Sequence, residues 1–409
     1  MITKQKGTND ILGIDAKKRK YVCDVIDAVC EKYNFNYIEN KMYGDPNQPV
    51  KVYYNGTMYR YERPQSGRDR ELTQFGMEIL GSDDPLSDAE IISAAVNLYR
   101  TLGLKEIKVN LNTLGDNESR NNYREALIKH FEPHIKDFCE DCQERLLKNP
   151  LRILDCKVDH DSEIMKSAPK TLDYLNEESR DRFEKVQEYL DIMQIDYEIN
   201  PSIVRGLDYY NHTVFEIEAK VEGFGSNNVI GAGGRYNGLV NQLDGPETPC
   251  VGFATGIGRV AMALELEKIN LPINNSIDLF LMYVNEDEKK YAAYLTQELR
   301  LSGFIVDTEY TDRSLKAQFK QADRLNAKFT CVLNSEDLDN NEVKIKNNKT
   351  KEEEIISLDA LLYYLDEKIN TEFSDEYDYC DCEDDCNCHH DHEDKHECCG
   401  KHHCHKEEE

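Results

Sequence analysis

Two runs of alternating apolar and polar residues, Pro49 to Arg63 and Glu71 to Gly81, constrain this chain more than any other feature. They are rich in Val, Tyr and Phe and are joined by the polar segment Pro64-Gln65-Ser66-Gly67-Arg68-Asp69-Arg70, so they read as adjacent strands. Side chains alternate across a strand, which puts Arg60 and Glu62 on one face of the first run and Gln74 and Glu78 on one face of the second. Tyr59, Tyr61, Phe75, Met77 and Ile79 take the opposite face. The expected sheet is therefore apolar on one side and charged on the other.

Other elements assemble around this pair. Val22, Val25, Ile26, Val29, Cys30 and Tyr33 recur at spacings of three and four within Asp15 to Tyr33, the pattern of one apolar helix face. Residues 85–103 and 117–195 are mostly helical in pattern, and the second region, charged and short of strand signals, looks like an insertion. Strand and glycine signals return from Val204 to Gly238, and Val251 to Lys268 reads as a strand followed by a helix. After Pro272-Ile273-Asn274-Asn275, an apolar strand from Ile277 to Val284 opens an alternation of helix and strand that runs to about Leu365, the mark of a small α/β domain. From Asn370 onward the apolar residues thin out, and a tract rich in Cys, His, Asp and Glu that cannot build a core occupies residues 370–409.

A chain of 409 residues is long enough for two or three domains. It holds no run of eighteen apolar residues and no apolar stretch behind Met1, so the expected compartment is the cytoplasm, with no membrane partner. Of the formal charge of −29, the final 40 residues carry −12, leaving −17 on the rest. Such a field repels polyanions, and any nucleic-acid contact must come from local basic patches. One candidate patch is Lys316, Lys320, Arg324 and Lys328, which recur every four residues on a predicted helix.

Three constellations carry chemistry. Arg60, Glu62, Arg68, Gln74 and Glu78 lie on the paired strands and their loop, where guanidinium forks suit phosphate and carboxylates suit an amine. Arg205-Gly206-Leu207-Asp208-Tyr209-Tyr210 is followed by Gly231-Ala232-Gly233-Gly234-Arg235-Tyr236, in which glycines permit close approach of backbone to a ligand. Gly252-Phe253-Ala254-Thr255-Gly256-Ile257-Gly258-Arg259 is a strand-to-helix transition with room for a flat ring. Each pattern alone also fits an ordinary ion-paired sheet face, a set of turns, or helix–sheet packing.

Together they resemble the class II aminoacyl-tRNA synthetases, and the histidyl-tRNA synthetase family specifically, over roughly residues 1–368. Arg60 to Arg68 with Gln74-Phe75-Gly76 looks like motif 2, Gly256-Ile257-Gly258-Arg259 like motif 3, and Arg205 to Tyr210 and Gly231 to Gly238 like the two histidine-specific signatures. The resemblance implies an α+β fold: a catalytic domain over residues 1–271, with an antiparallel sheet flanked by helices and a helical insertion at about 117–195, then an α/β anticodon-binding domain over 276–368. It implies activation of histidine with ATP and Mg²⁺ and transfer to tRNA(His), in a homodimer. It assigns catalysis to Arg60 and Arg205, the latter in place of a metal ion beside the α-phosphate. ATP binding falls to Arg60, Glu62, Arg68 and Arg259, and the histidine pocket to Gln74, Glu78, Arg205, Tyr209 and Tyr210. The basic stripe would serve tRNA binding.

The chain departs from that family between its first helix and motif 2. It passes from Tyr37-Ile38 straight to Glu39-Asn40-Lys41-Met42-Tyr43-Gly44, without motif 1, which builds the family's dimer interface, and without the Arg-Pro-Glu-Gly-Thr loop that holds the substrate's amino group. The competing reading is thus a catalytically impaired synthetase-like protein, either a truncated copy or a regulatory, histidine-sensing subunit, although such regulatory relatives lack the anticodon domain. Gly258 also stands where the family usually has Glu. Two cysteine features lie outside these motifs. Cys139 and Cys142 with Cys156 and His160 have the ligand types of a zinc site, although the family carries similar cysteines without requiring metal. The tail concentrates Cys380, Cys382, Cys386, Cys388, His389 and His390 among further thiols and imidazoles, ligands suited to Zn²⁺, Ni²⁺ or Cu⁺.

Overall fold

The computed structural model describes residues 7–39, 49–61, 69–156, 158–203, 209–224 and 228–374, and the chain divides between Ile273 and Asn274 into two compact units. The first unit opens with helix α1 (Gly13–Lys32), followed by β1 (Asn36–Tyr37), β2 (Val50–Tyr59), β3 (Glu71–Leu80), α2 (Pro85–Thr101) and β4 (Ile107–Thr113). A helical stretch comes next: α3 (Asn117–Phe131), α4 (Glu140–Lys148), α5 (Glu163–Lys166) and α6 (Glu177–Ile192), with short 3₁₀ turns between them. The chain returns to strands in β5 (Tyr197–Ile199), β6 (Asn211–Ala219) and β7 (Val229–Arg235), then adds α7 (Leu239–Gln242), β8 (Cys250–Gly256) and α8 (Ile257–Leu266).

The eight strands form one sheet in the order β1-β2-β3-β8-β7-β6-β4-β5. Its six central strands are antiparallel, whereas β1 runs parallel to β2 and β5 parallel to β4. The sheet is thus mixed at its edges rather than wholly antiparallel as expected. Strand β4 carries the alternation Ile107, Val109 and Leu111.

One face of the sheet is the core face. Phe75, Met77 and Ile79 of β3, Phe215 and Ile217 of β6 and Val251 and Phe253 of β8 pack against Ile26 of α1, Ile91 of α2, Val186 of α6 and Val260 of α8. Tyr59 and Tyr61 depart from the expectation that they join this face: they are 76% and 95% exposed, at and just past the end of β2. Residues 117–176 carry a separate small core of Tyr123, Leu127, Phe131, Phe138, Leu146, Leu151 and Ile153.

The second unit contains β9 (Leu279–Tyr283), α9 (Glu286–Leu301), β10 (Val306–Thr308), α10 (Leu315–Arg324), β11 (Phe329–Leu333), α11 (Ser335–Asp339), β12 (Glu342–Asn347), β13 (Glu353–Ser357) and α12 (Leu361–Ser374). Its sheet order is β10-β9-β11-β12-β13, with the first three strands parallel and the last two antiparallel. Strand β9 is buried along its whole length, as a central parallel strand covered on both faces must be. No described helix is long and apolar enough to cross a membrane.

Candidate functional site

The register of the first sheet sets out its second face row by row. One row runs Glu216, Ala232, Ala254, Gly76 and Tyr54 across β6, β7, β8, β3 and β2. The next runs Val214, Gly234, Gly252, Glu78 and Val52, and a third brings Gly256 beside Gln74 and Gly56. Small residues therefore pave the middle of the sheet, while carboxylates, an amide and phenols stand around it. The glycines are required: a Cβ on Gly252 would fall on the Glu78 carboxylate, and one on Gly76 would fall on the Tyr54 ring.

Polar groups above this floor are held by one another. The Tyr236 hydroxyl donates to Glu78 Oε2 at 2.5 Å, and Gln74 Nε2 donates to the Tyr54 hydroxyl at 3.1 Å. The rings of Tyr209, Tyr210 and Tyr236 cluster, with centroids 4.6 to 6.4 Å apart. Burial pushes the Glu78 carboxyl up to about 7, with the Tyr236 hydrogen bond pulling the other way. Burial and the neighbouring Glu78 hold the Tyr236 phenol well above its ordinary range. A carboxyl that changes charge near neutrality, walled by aromatic rings, can accept hydrogen bonds from a nitrogenous ring.

Two arginines lie at the ends of this surface. Arg60, one residue past β2 in the same alternation as Tyr54, donates from Nε to the Asp69 carbonyl at 2.7 Å, which ties it to the opposite arm of the hairpin. Arg259, in the first turn of α8, donates from Nε to the Val229 carbonyl at 2.9 Å and lies 4.6 Å over the Phe224 ring. Both are positioned before any ligand arrives, which is what electrostatic stabilisation of a phosphate requires. Gly258 beside it faces α1 closely, and a Cβ there would meet the Arg19 guanidinium at 3.3 Å; the Glu usual in the resembled family would find a cation there.

Gln74, Glu78, Tyr209 and Tyr210 are thus gathered on or over one face, with Arg60 and Arg259 at its ends. Glu62, Arg68 and Arg205 lie outside the described residues, as do Cys380, Cys382, Cys386, Cys388, His389 and His390. Tyr54, Tyr236 and Glu216 were not singled out from the sequence as pocket residues, although the alternation Gly252, Ala254, Gly256 marked a face kept clear. A groove of about 400 Å³ between α1 and α8, lined by Ile14, Lys18, Leu264 and Glu265 among others, shares no residue with this face.

In the second unit, Lys316, Lys320 and Arg324 line an exposed side of α10. Lys328 does not belong to this stripe: α10 ends at Arg324, and Lys328 Nζ pairs with Asp278 at 3.0 Å where β9 and β11 begin.

Comparison with known proteins follows the same division. A family profile described as "Histidyl-tRNA synthetase" matches residues 40–260, and one described as "Anticodon binding domain" matches residues 278–368. A histidine–tRNA ligase of Bacillus cytotoxicus is 54% identical over 334 residues, 82% of this chain and 79% of the relative. The histidine–tRNA ligase of a Geobacillus species is 52% identical over 417 aligned positions, covering 89% of this chain and 99% of the relative. Since 89% of 409 residues is about 364, about fifty of those positions have no residue in this chain. Among solved structures, the apo histidyl-tRNA synthetase of S. aureus superposes with a TM-score of 0.75 at 39% identity, covering 89% of this chain and 100% of that one.

Proposed function

The chain belongs to the histidyl-tRNA synthetase family, and on that premise we propose that it is a histidine–tRNA ligase. A carboxylate oxygen of histidine attacks the α-phosphorus of MgATP, pyrophosphate leaves, and the resulting histidyl-adenylate passes its acyl group to the terminal ribose hydroxyl of tRNA(His), releasing AMP. The observation that carries this reading is the small-residue floor bounded by Glu78, Tyr236, Gln74 and Tyr54. It leaves room for a planar substrate and supplies hydrogen-bonding groups to read it.

Each group has a part. Gln74, Glu78, Tyr209 and Tyr210 line the histidine pocket, with the Glu78 carboxylate accepting from the imidazole. Arg259 stacks on adenine and reaches the γ-phosphate, assisted by Arg68, and Glu62 meets the adenine amine. Arg60 and Arg205 bear on the α-phosphate, where charge grows as the oxygen attacks. In the second unit, Lys316, Lys320 and Arg324 offer a short positive strip to the tRNA anticodon arm, and Lys328, already paired with Asp278, contributes less. The enzyme works in the cytoplasm as a homodimer, and the tail from Cys380 onward takes up Zn²⁺, Ni²⁺ or Cu⁺ when these are offered.

Histidine-dependent exchange of pyrophosphate into ATP tests the proposal, with Arg205→Ala as the control. Exchange well above that control means that the remaining pocket activates histidine without the Arg-Pro-Glu-Gly-Thr loop. A folded chain with no exchange would overturn the catalytic assignment in favour of the impaired-relative reading.

Glu78 gives the pocket a pH signature. Because burial raises its pKa to about 7, it is protonated below that pH in the free protein and a poor acceptor, and it becomes a ready carboxylate above. The KM for histidine should therefore fall as pH rises from 6 to 8. Glu78→Gln should raise that KM roughly tenfold at pH 8, the size of a lost charged hydrogen bond. Its pH dependence should shrink to that of the free imidazole, and parallel pH profiles for the two proteins would refute the role.

A further inference from the structure

The helical stretch of the first unit contains a cluster that neither the histidine pocket nor the ATP site uses. The thiols of Cys139, Cys142 and Cys156 and a carboxylate oxygen of Asp159 all lie within 4.8 Å of one another. Cys142 and Cys156 are buried, and Cys139 and Asp159 are half-buried. The two halves of the cluster match. Cys139 sits immediately before α4 and Cys142 within its first turn, while Cys156 and Asp159 repeat the spacing of three, with the Asp159 amide donating to Cys156 Sγ at 3.4 Å. The Cys139 amide in turn donates to Asp159 Oδ2 at 3.1 Å.

We propose that Cys139, Cys142, Cys156 and Asp159 bind one Zn²⁺ ion in a closed, structural site. Tetrahedral zinc with Zn–S bonds of about 2.3 Å and a Zn–O bond of about 2.0 Å separates its sulfurs by about 3.8 Å and sulfur from oxygen by about 3.5 Å. Cys139 Sγ and Cys156 Sγ are 3.7 Å apart, and Cys156 Sγ and Asp159 Oδ2 are 3.4 Å apart, so two edges of the tetrahedron are already present. Three thiolates select a borderline metal such as zinc over Mg²⁺ or Ca²⁺. Backbone amides aimed at Cys156 Sγ and Asp159 Oδ2 are the supporting shell that such sites use to orient their ligands.

The ligand set corrects the one expected from sequence. His160 is exposed and turned to Asp161, 3.2 Å away, while Asp159 faces the thiols. The place of the site explains its use. The core of residues 117–176 is small and built from short helices and 3₁₀ turns, and a metal is one of the means by which such small cores are held. Here the ion would fasten the start of α4 to the irregular segment that follows Ile153.

The test is zinc content per chain, measured by mass spectrometry of the metal on the full-length protein and its variants after dialysis with a reductant. The tail, present in all of them, cancels in the difference. Cys142→Ser and Cys156→Ser should each hold one equivalent fewer than the unaltered chain, whereas Asp159→Cys and His160→Ala should hold the same amount. If the serine variants do not fold, zinc removal by chelation from the unaltered chain gives a second reading. Protease cleavage within residues 117–176 should then begin as the metal is lost. Equal zinc in the serine variants, unchanged protection after complete removal, or a Cys139–Cys156 disulfide in the native protein would each overturn the site.

Discussion

Replacing Arg259 by alanine should lower kcat/KM for ATP in the exchange reaction by about 10²- to 10³-fold, the loss that follows removal of one fixed donor from a charge-stabilising site. The guanidinium is held in place, since Nε donates to the Val229 carbonyl and its central carbon lies 4.6 Å from the Phe224 ring centroid. Its planar fork matches phosphate geometry, and a guanidinium plane is a surface on which an aromatic base can stack. Arg259→Lys should recover little of the loss, because an ammonium keeps the charge but not the plane or the fork. The histidine KM should stay nearly constant in both variants, since Gln74 and Glu78 lie elsewhere on the face. A change of less than threefold in kcat/KM for ATP would remove Arg259 from the site.

How much of this was legible beforehand depended on the kind of signal. Period-two alternation placed Gln74 and Glu78 together correctly, because β3 is central and its register is fixed on both sides by β2 and β8. The same logic failed at Tyr59 and Tyr61, where parity says which way a side chain points but not whether anything covers it. Helical spacing was read across Lys316, Lys320, Arg324 and Lys328, yet α10 stops one turn early and the last lysine is spent on Asp278. Tyr54 and Tyr236 escaped because their roles arise from pairing across the sheet, between residues 20 and 158 positions apart. The Asp159-for-His160 exchange is of the same kind: both residues are ligand types, and only the backbone turn decides which one faces the thiols.

The sequence also presented Arg235 as part of a glycine signature next to the pocket, whereas its side chain points into the other face. It is fully buried, and its donors are all engaged: Nε with Asp88 Oδ1 at 3.0 Å, Nη2 with Asp88 Oδ2 at 2.5 Å and Ser87 Oγ at 2.7 Å, and Nη1 with the Ser82 carbonyl at 2.8 Å and Asn237 Oδ1 at 3.2 Å. This binds the end of β7 to the first turn of α2, and the residue after it is Tyr236, which holds Glu78. The pair thus connects the stability of the core to the shape of the pocket.

Arg235→Met should cost the first unit about 3–5 kcal/mol, because among the described residues it leaves the fully buried Asp88 carboxylate with Arg182, 3.4 Å away, as its cationic partner. In a unit of this size that corresponds to a fall of roughly 10 °C in melting temperature. Adding Asp88→Leu should restore part of the loss rather than double it, since the penalty comes from the orphaned charge more than from the missing bond. A thermal-unfolding series of the parent, the two single variants and the double variant measures this directly. Additive losses would mean that Arg235 and Asp88 act on the fold separately, and the clamp between β7 and α2 would have to be abandoned as the reason for the buried arginine.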